Sequence, residues 1–289
     1  MAHCLKRYVK ISEMKSATNE KRSTEPFLRW AGSKRRLIPK IASLLPATFD
    51  RYVEPFVGSG CVFFSLQPDK ALLSDFNFEL IQCYEVLKKH PVLLSRKVHE
   101  HPQQKTHYYK LRQMDPAELG QIERAARFLF LNSFCFNGVY RTNLSGQFNV
   151  PWGTKSRGVP SEKLLRRCSY YLRRAEVCCQ DYLRTLKEVQ VGDFVYLDPP
   201  YAKSGSRNRG EYGVGSFALE NEEQLIAALS SLDRRGAKFL LSYRASSAFI
   251  EKLKPTWNFK RIRVRRNVAG FAGARRNAIE ILARNYVEG

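Results

Sequence analysis

Four apolar residues, Phe194-Val195-Tyr196-Leu197, run directly into Asp198-Pro199-Pro200-Tyr201. So short an apolar run reads as a strand, and Asp and Pro favour the turn that follows. The pattern recurs along the chain. Residues 51–56 form a short strand candidate feeding a turn at Gly58 and Gly60, and 71–74 form a second, ending at Asp75. Residues 238–242 and 278–283 are further strand candidates. In 259–264, Ile262 and Val264 share one face while Arg261, Arg263 and Arg265 share the other. Apolar residues at helical spacing (Leu37, Ile38, Ile41, Leu44 and Leu45, closed by Pro46) predict a helix over 35–45, and similar patterns predict helices over 79–89 and 122–134. Strands separated by helices indicate an α/β sheet. From 90 to 171 the texture changes: His, Gln, Arg and Tyr become frequent, and a Gly- and Asn-rich loop occupies 137–158. This stretch is expected to be an inserted domain, with 26–89 and 172–289 forming the main one and 1–25 a mobile tail.

Composition narrows the class. The 289 residues are 44% hydrophobic, which excludes wholesale disorder and allows one large domain or two modest ones. No stretch approaches the roughly 20 apolar residues that span a bilayer, and residues 1–15 lack the apolar run of a secretion signal. The seven cysteines are scattered with no C-x-x-C pair, which fits neither a disulfide framework nor a zinc site and points to a reducing cytoplasm. The histidines lack ligand spacing, so no metal is expected. Lys and Arg number 49 against 27 Asp and Glu, a net charge of +22. Such a surplus repels itself, and binding a polyanion is the usual compensation.

Asp198 to Tyr201 can be read as an ordinary turn or as chemistry. An exocyclic amine on a nucleobase is a poor nucleophile, because its lone pair is delocalised into the ring. Two acceptors aimed at its two N–H bonds draw it out of conjugation. Asp198 offers a carboxylate and Pro199 a carbonyl, while Pro200 holds Pro199 extended. Tyr201 offers a stacking face for an extruded base. Asp198 also stabilises the positive charge that develops on the attacking nitrogen.

The segment Val53-Glu54-Pro55-Phe56-Val57-Gly58-Ser59-Gly60 joins a strand to a G-x-G turn, which lets backbone approach a cofactor closely. The third glycine of the dinucleotide fingerprint is missing, and no G-K-[ST] follows. Asp75 suits either a helix cap or an acid holding two ribose hydroxyls.

In this order, Phe27-Leu-Arg-Trp-Ala-Gly-Ser-Lys34, Glu54 to Gly60, Phe136 to Gly153 and Asp198 to Tyr201 resemble the Dam-type (D12 class) adenine-N6 DNA methyltransferases, from Pro26 onward. The resemblance implies a Rossmann-like class I methyltransferase sheet with helices on both faces and an inserted, mainly helical target-recognition domain. It implies S-adenosylmethionine as cofactor, double-stranded DNA as partner, GATC as target and extrusion of the adenine. Trp30, Ala31 and Lys34 match the block at the cofactor's methionine end, Lys34 facing its carboxylate. Phe56, Gly58 and Gly60 match the cofactor turn, Asp75 the ribose acid, and Asp181 an acid near the cofactor's adenine. Arg29 and Arg141 match base-reading positions, an arginine pairing bidentately with guanine. Phe136, Asn137 and Val139 match the wedge that supports the vacated base.

Plainer readings stand beside these: core packing for Trp30 and Phe136, a helix cap for Asp181, a phosphate contact for Arg141. Two departures from the family pattern are Ser33 in place of glycine and Phe136 in place of tyrosine. The basic loop of Lys203, Arg207 and Arg209 is expected to close over the flipped base and grip phosphate, or to be a solvated loop. The expected protein is a cytoplasmic, monomeric methyltransferase. The alternatives are a cytosine-N4 or RNA-adenine methyltransferase, and a DNA-binding protein that has lost catalysis.

Overall fold

The computed structural model describes residues 23–143, 145–154, 156–200, 219–244, 246–265 and 277–287. Seven strands form one sheet in the order β3-β2-β1-β4-β5-β7-β6. They are β1 (Tyr52–Glu54), β2 (Ala71–Asp75), β3 (Ala175–Cys179), β4 (Phe194–Leu197), β5 (Lys238–Arg244), β6 (Asn258–Arg265) and β7 (Asn277–Arg284). The first five run parallel, and β7 inserts antiparallel between β5 and β6.

β1 and β4 are buried along their whole length, as parallel strands are when both faces of a sheet are covered. Alternate side chains serve opposite faces. Tyr52, Leu73, Phe194, Tyr196 and Leu240 join one core, while Val53, Leu72, Val195, Leu197 and Leu241 join the other. Among the described residues the helices are α1 (Ile38–Ala42), α2 (Cys61–Leu66), α3 (Phe78–Lys89), α4 (Pro91–His99), α5 (Lys105–Gln113), α6 (Gln121–Phe134), α7 (Glu162–Leu172), α8 (Tyr182–Lys187), α9 (Leu219–Arg234) and α10 (Ser247–Glu251). Helices α1 to α7 contribute to the first core and α8 to α10 to the second.

The sequence between 90 and 171 supplies α4 to α7. His90 caps α3 at one end and begins α4 at the other. Leu94, Val98, Tyr108, Leu111, Phe128 and Phe130 are buried in the same cluster as Phe63, Leu73 and Tyr84. These helices therefore share a continuous core with the sheet. Thr24, in the stretch expected to be tail, is buried, and its amide donates to Phe64 O at 3.3 Å.

The single helix expected over 35–45 is a 3-10 turn (Arg35–Leu37) followed by α1. Pro39 is the reason: it has no amide hydrogen, and its ring clashes with the carbonyl four residues back.

Candidate active site

β1 and β4 are neighbours, and the chain winds away from them in opposite directions, through β2 and β3 on one side and β5 on the other. Loops leaving the carboxyl ends of two such strands diverge and open a crevice. A cavity of about 280 Å³ lies there, lined by Trp30, Phe56, Gly58, Asp75, Asp181 and Asp198 among others. Ala31, Lys34, Pro199 and Pro200 line it too, so residues far apart in sequence share one wall.

The turn after β1 is pinned from two sides. Gly58 N donates to Asp75 Oδ2 at 3.1 Å, and Tyr84 Oη donates to Gly58 O at 3.0 Å. Gly58 has φ +47°, and a Cβ there would lie 2.7 Å from Trp30 Cδ1. Only glycine accommodates both the backbone and the indole. Gly60 is not among the residues lining the cavity; it precedes α2 at φ +63°. Phe56 packs at 5.0 Å against Tyr182. Trp30 stacks on Tyr140 at 5.9 Å and lies against the first core, so packing and cavity lining coincide in this residue.

Asp75 also accepts from Asn77 N at 3.0 Å, but the cap of α3 is Asn77, whose side chain accepts from Leu80 N. The carboxylate therefore stays at the cavity wall. Burial pushes its pKa up to about 6, opposed by hydrogen bonds from the Asn77, Gly58 and Phe76 backbone. Asp181 does cap α8, accepting from Leu183 N at 2.8 Å, and it lines the cavity as well.

Asp198 follows β4 with its side chain 20% exposed. Lys34 Nζ donates to its Oδ1 at 2.6 Å and to Gly32 O at 3.2 Å, and lies 4.0 Å from Glu280 Oε2 on β7. Thus Lys34, which the resemblance puts at the cofactor's carboxylate, has its ammonium on Asp198. Glu54, on the same wall, accepts from Tyr52 Oη at 2.9 Å. Burial holds its carboxyl well above the usual range, and the charge of Asp198 adds to the effect.

The segment carrying the expected recognition residues lies beside this wall. Arg29 N donates to Asn132 Oδ1 at 3.0 Å, and Asn132 Nδ2 donates to Arg29 O at 2.7 Å. The Arg29 guanidinium donates to Ser133 O at 3.2 Å. After α6, a 3-10 turn spans Phe136–Gly138, with Asn137 at φ 54° and Gly138 at φ 65°. It leaves Phe136 and Asn137 exposed and Val139 half-buried, so the Phe136 ring faces outward rather than into the core. Arg141 Nε donates to Asn149 Oδ1 at 2.8 Å, across a ladder that includes the Thr142–Phe148 bridge. Tyr201, Lys203, Arg207 and Arg209 lie outside the described residues.

Asn132, Glu280, Tyr84 and Asn149 were not singled out by sequence reasoning. Asn132 carries the clearest missed signal, a lone amide on an otherwise apolar helix face. Glu280 carries a similar one, as an acid inside the final apolar strand. Among the described residues no group of three or more His, Cys, Asp or Glu is placed to hold a metal ion, and no helix is long and apolar enough to cross a membrane.

A model of the D12 class N6 adenine-specific DNA methyltransferase family matches residues 30–269. The Type II methyltransferase M1.LlaDCHI of Lactococcus lactis subsp. cremoris is 35% identical over 271 residues, covering 90% of this chain and 95% of that protein. The Type II methyltransferase M.MjaIII of Methanocaldococcus jannaschii is 32% identical, covering 91% and 99%. The DNA adenine methylase of Escherichia coli (strain K12) is 31% identical, covering 89% and 94%. Membership carries DNA as substrate and implies S-adenosylmethionine as methyl donor. With its seven-stranded sheet flanked by helices and its crevice between β1 and β4, the chain belongs to the D12 class of N6 adenine-specific DNA methyltransferases.

Proposed function

We propose that this chain methylates N6 of adenine within GATC in duplex DNA, after rotating the adenine out of the helix. The observation that carries the reading is one cavity lined at once by Gly58, Asp75 and Asp198. S-adenosylmethionine, when bound, supplies an electrophilic methyl group. Asp75 would accept from its ribose hydroxyls, Asp181 would hold its adenine, and Phe56, Trp30 and the backbone of the turn at Gly58 and Gly60 would hold the rest of it.

Asp198 and the Pro199 carbonyl accept the two N–H bonds of the target amine and sharpen its lone pair. The carboxylate steadies the charge that forms as nitrogen takes the methyl group. Tyr201 supplies the stacking face. The methylated nitrogen is acidic, so its proton leaves without a dedicated base.

The segment 90–171 carries target recognition. Arg141, held by Asn149, reads a guanine, Arg29 assists, and the exposed Phe136 with Asn137 and Val139 fills the gap left by the adenine. Unstacking costs a few kcal/mol, which an aromatic wedge offsets. Lys203 and Arg207 grip phosphate. GATC itself rests on the likeness of the block from Phe136 to Gly153.

The test measures labelled methyl transfer to duplexes containing GATC or single-base variants of it, with nucleoside analysis of the product. N6-methyladenine confined to GATC, abolished by Asp198→Ala, is expected. Transfer to a different sequence overturns the target, and full activity in Asp198→Ala overturns the site.

A further inference from the structure

We propose that Glu280 is a positioning residue for methyl transfer: it is the second seat of the Lys34 ammonium, taken when the target amine claims the Asp198 carboxylate. The inference rests on the reading of Asp198 as the acceptor of that amine.

Lys34 lies between two carboxylates, 2.6 Å from Asp198 Oδ1 and 4.0 Å from Glu280 Oε2. The Lys34 and Glu280 side chains are only 6% and 3% exposed, and Lys34 and Asp198 both line the cavity. A charged donor on a carboxylate is stronger than a neutral amine. An adenine amine that takes Asp198 Oδ1 therefore competes with the ammonium for that oxygen. A buried ammonium that loses its anion is strongly destabilised. Glu280 removes that obstacle, because Lys34 swings toward it by rotations of its own flexible stem and stays charged throughout. Glu280 is suited to wait there. It belongs to β7 and is paired on one side with Arg244 and on the other with Ile262, so its backbone is fixed from both neighbours.

The experiment measures methyl transfer to unmethylated bacterial DNA, with KM for DNA and donor, kcat, and calorimetric donor binding. Glu280→Gln is expected to lower kcat about tenfold or more, the scale of a misplaced reacting group, with both KM values and donor affinity within about twofold of wild type. Glu280→Asp, which keeps the charge, is expected to recover most of the loss. Lys34→Met is expected to slow the enzyme, and Lys34→Met with Glu280→Gln to be no slower than Lys34→Met alone. If Glu280→Gln does not fold, that last comparison carries the test, since the double variant removes both buried charges together. Wild-type kcat in Glu280→Gln, or additive losses in the double variant, overturns the proposal. Asp198→Ala separates the two readings. If it is inactive while Glu280→Gln is unimpaired, only the role of Glu280 fails; if it is active, the reading of Asp198 fails.

Discussion

Asn132 and Arg29, 103 residues apart, exchange two hydrogen bonds, the amide side chain of one closing on the backbone N–H and C=O of the other. This pair locks the segment carrying Trp30 to the end of α6, beside the turn that presents Phe136. Asn132→Ala leaves both Arg29 groups without this partner and is expected to cost about 2 kcal/mol or more. Urea melts check the figure. Asn132→Asp, which keeps the acceptor and loses the donor, should fall between alanine and wild type.

A Cβ at Gly58 would meet the Trp30 indole at 2.7 Å. Gly58→Ala forces a side chain into left-handed backbone and against the Trp30 indole, a strain of about 1–2 kcal/mol before any clash. Donor affinity measured by calorimetry is expected to fall about tenfold or more, while DNA binding followed by fluorescence anisotropy changes little.

Donor binding should weaken in acid through Asp75. The ribose hydroxyls need an ionised acceptor, and burial raises this carboxyl from 3.8 to about 6. With a pKa near 6, about one tenth of the side chain is ionised at pH 5, so the dissociation constant should rise about tenfold between pH 7.5 and pH 5. Asp75→Asn should bind weakly at both values and flatten the profile. The sign for unliganded stability is opposite. The folded pKa lies above the unfolded one, so this group's stabilisation is present below pH 3.8 and is lost as pH rises through about 6.

Asn149 aims Arg141. Asn149→Ala should leave the thermal midpoint nearly unchanged and relax discrimination at one base pair of the site by about 1 kcal/mol or more. Steady-state kcat/KM on a panel of single-substitution duplexes reads this directly. A uniform loss across the panel would instead assign Arg141 to the phosphate backbone.

Much of the sheet was legible because local pattern and burial agree. Phe194 to Leu197 is apolar on both faces, as a central parallel strand must be, and its boundaries matched. That Asp198, Asp75 and Gly58 line one crevice was legible because each lies at or just beyond the carboxyl end of a strand. The partners of these residues were not. The contact of Lys34 with Asp198 joins positions 164 residues apart, and no spacing rule encodes it. The segment 35–45 was read as one helix because its apolar spacing was weighed above Pro39. The composition change at 90 marked a real shift in texture but gave no sign that α4 to α7 share the sheet's core, since core membership depends on packing rather than period.

The placement of β7 has a consequence for biosynthesis. The strand that bridges β5 and β6 is translated after both. A nascent polypeptide therefore carries β6 with no neighbour to join until residues 277–284 clear the ribosome. Closure of this side of the sheet is a late event, and it delivers Glu280 to Lys34 in the same step. A chain that ends before that point leaves β5 as a sheet edge and β6 without its neighbour, a row of unpaired backbone groups open to pairing with another chain.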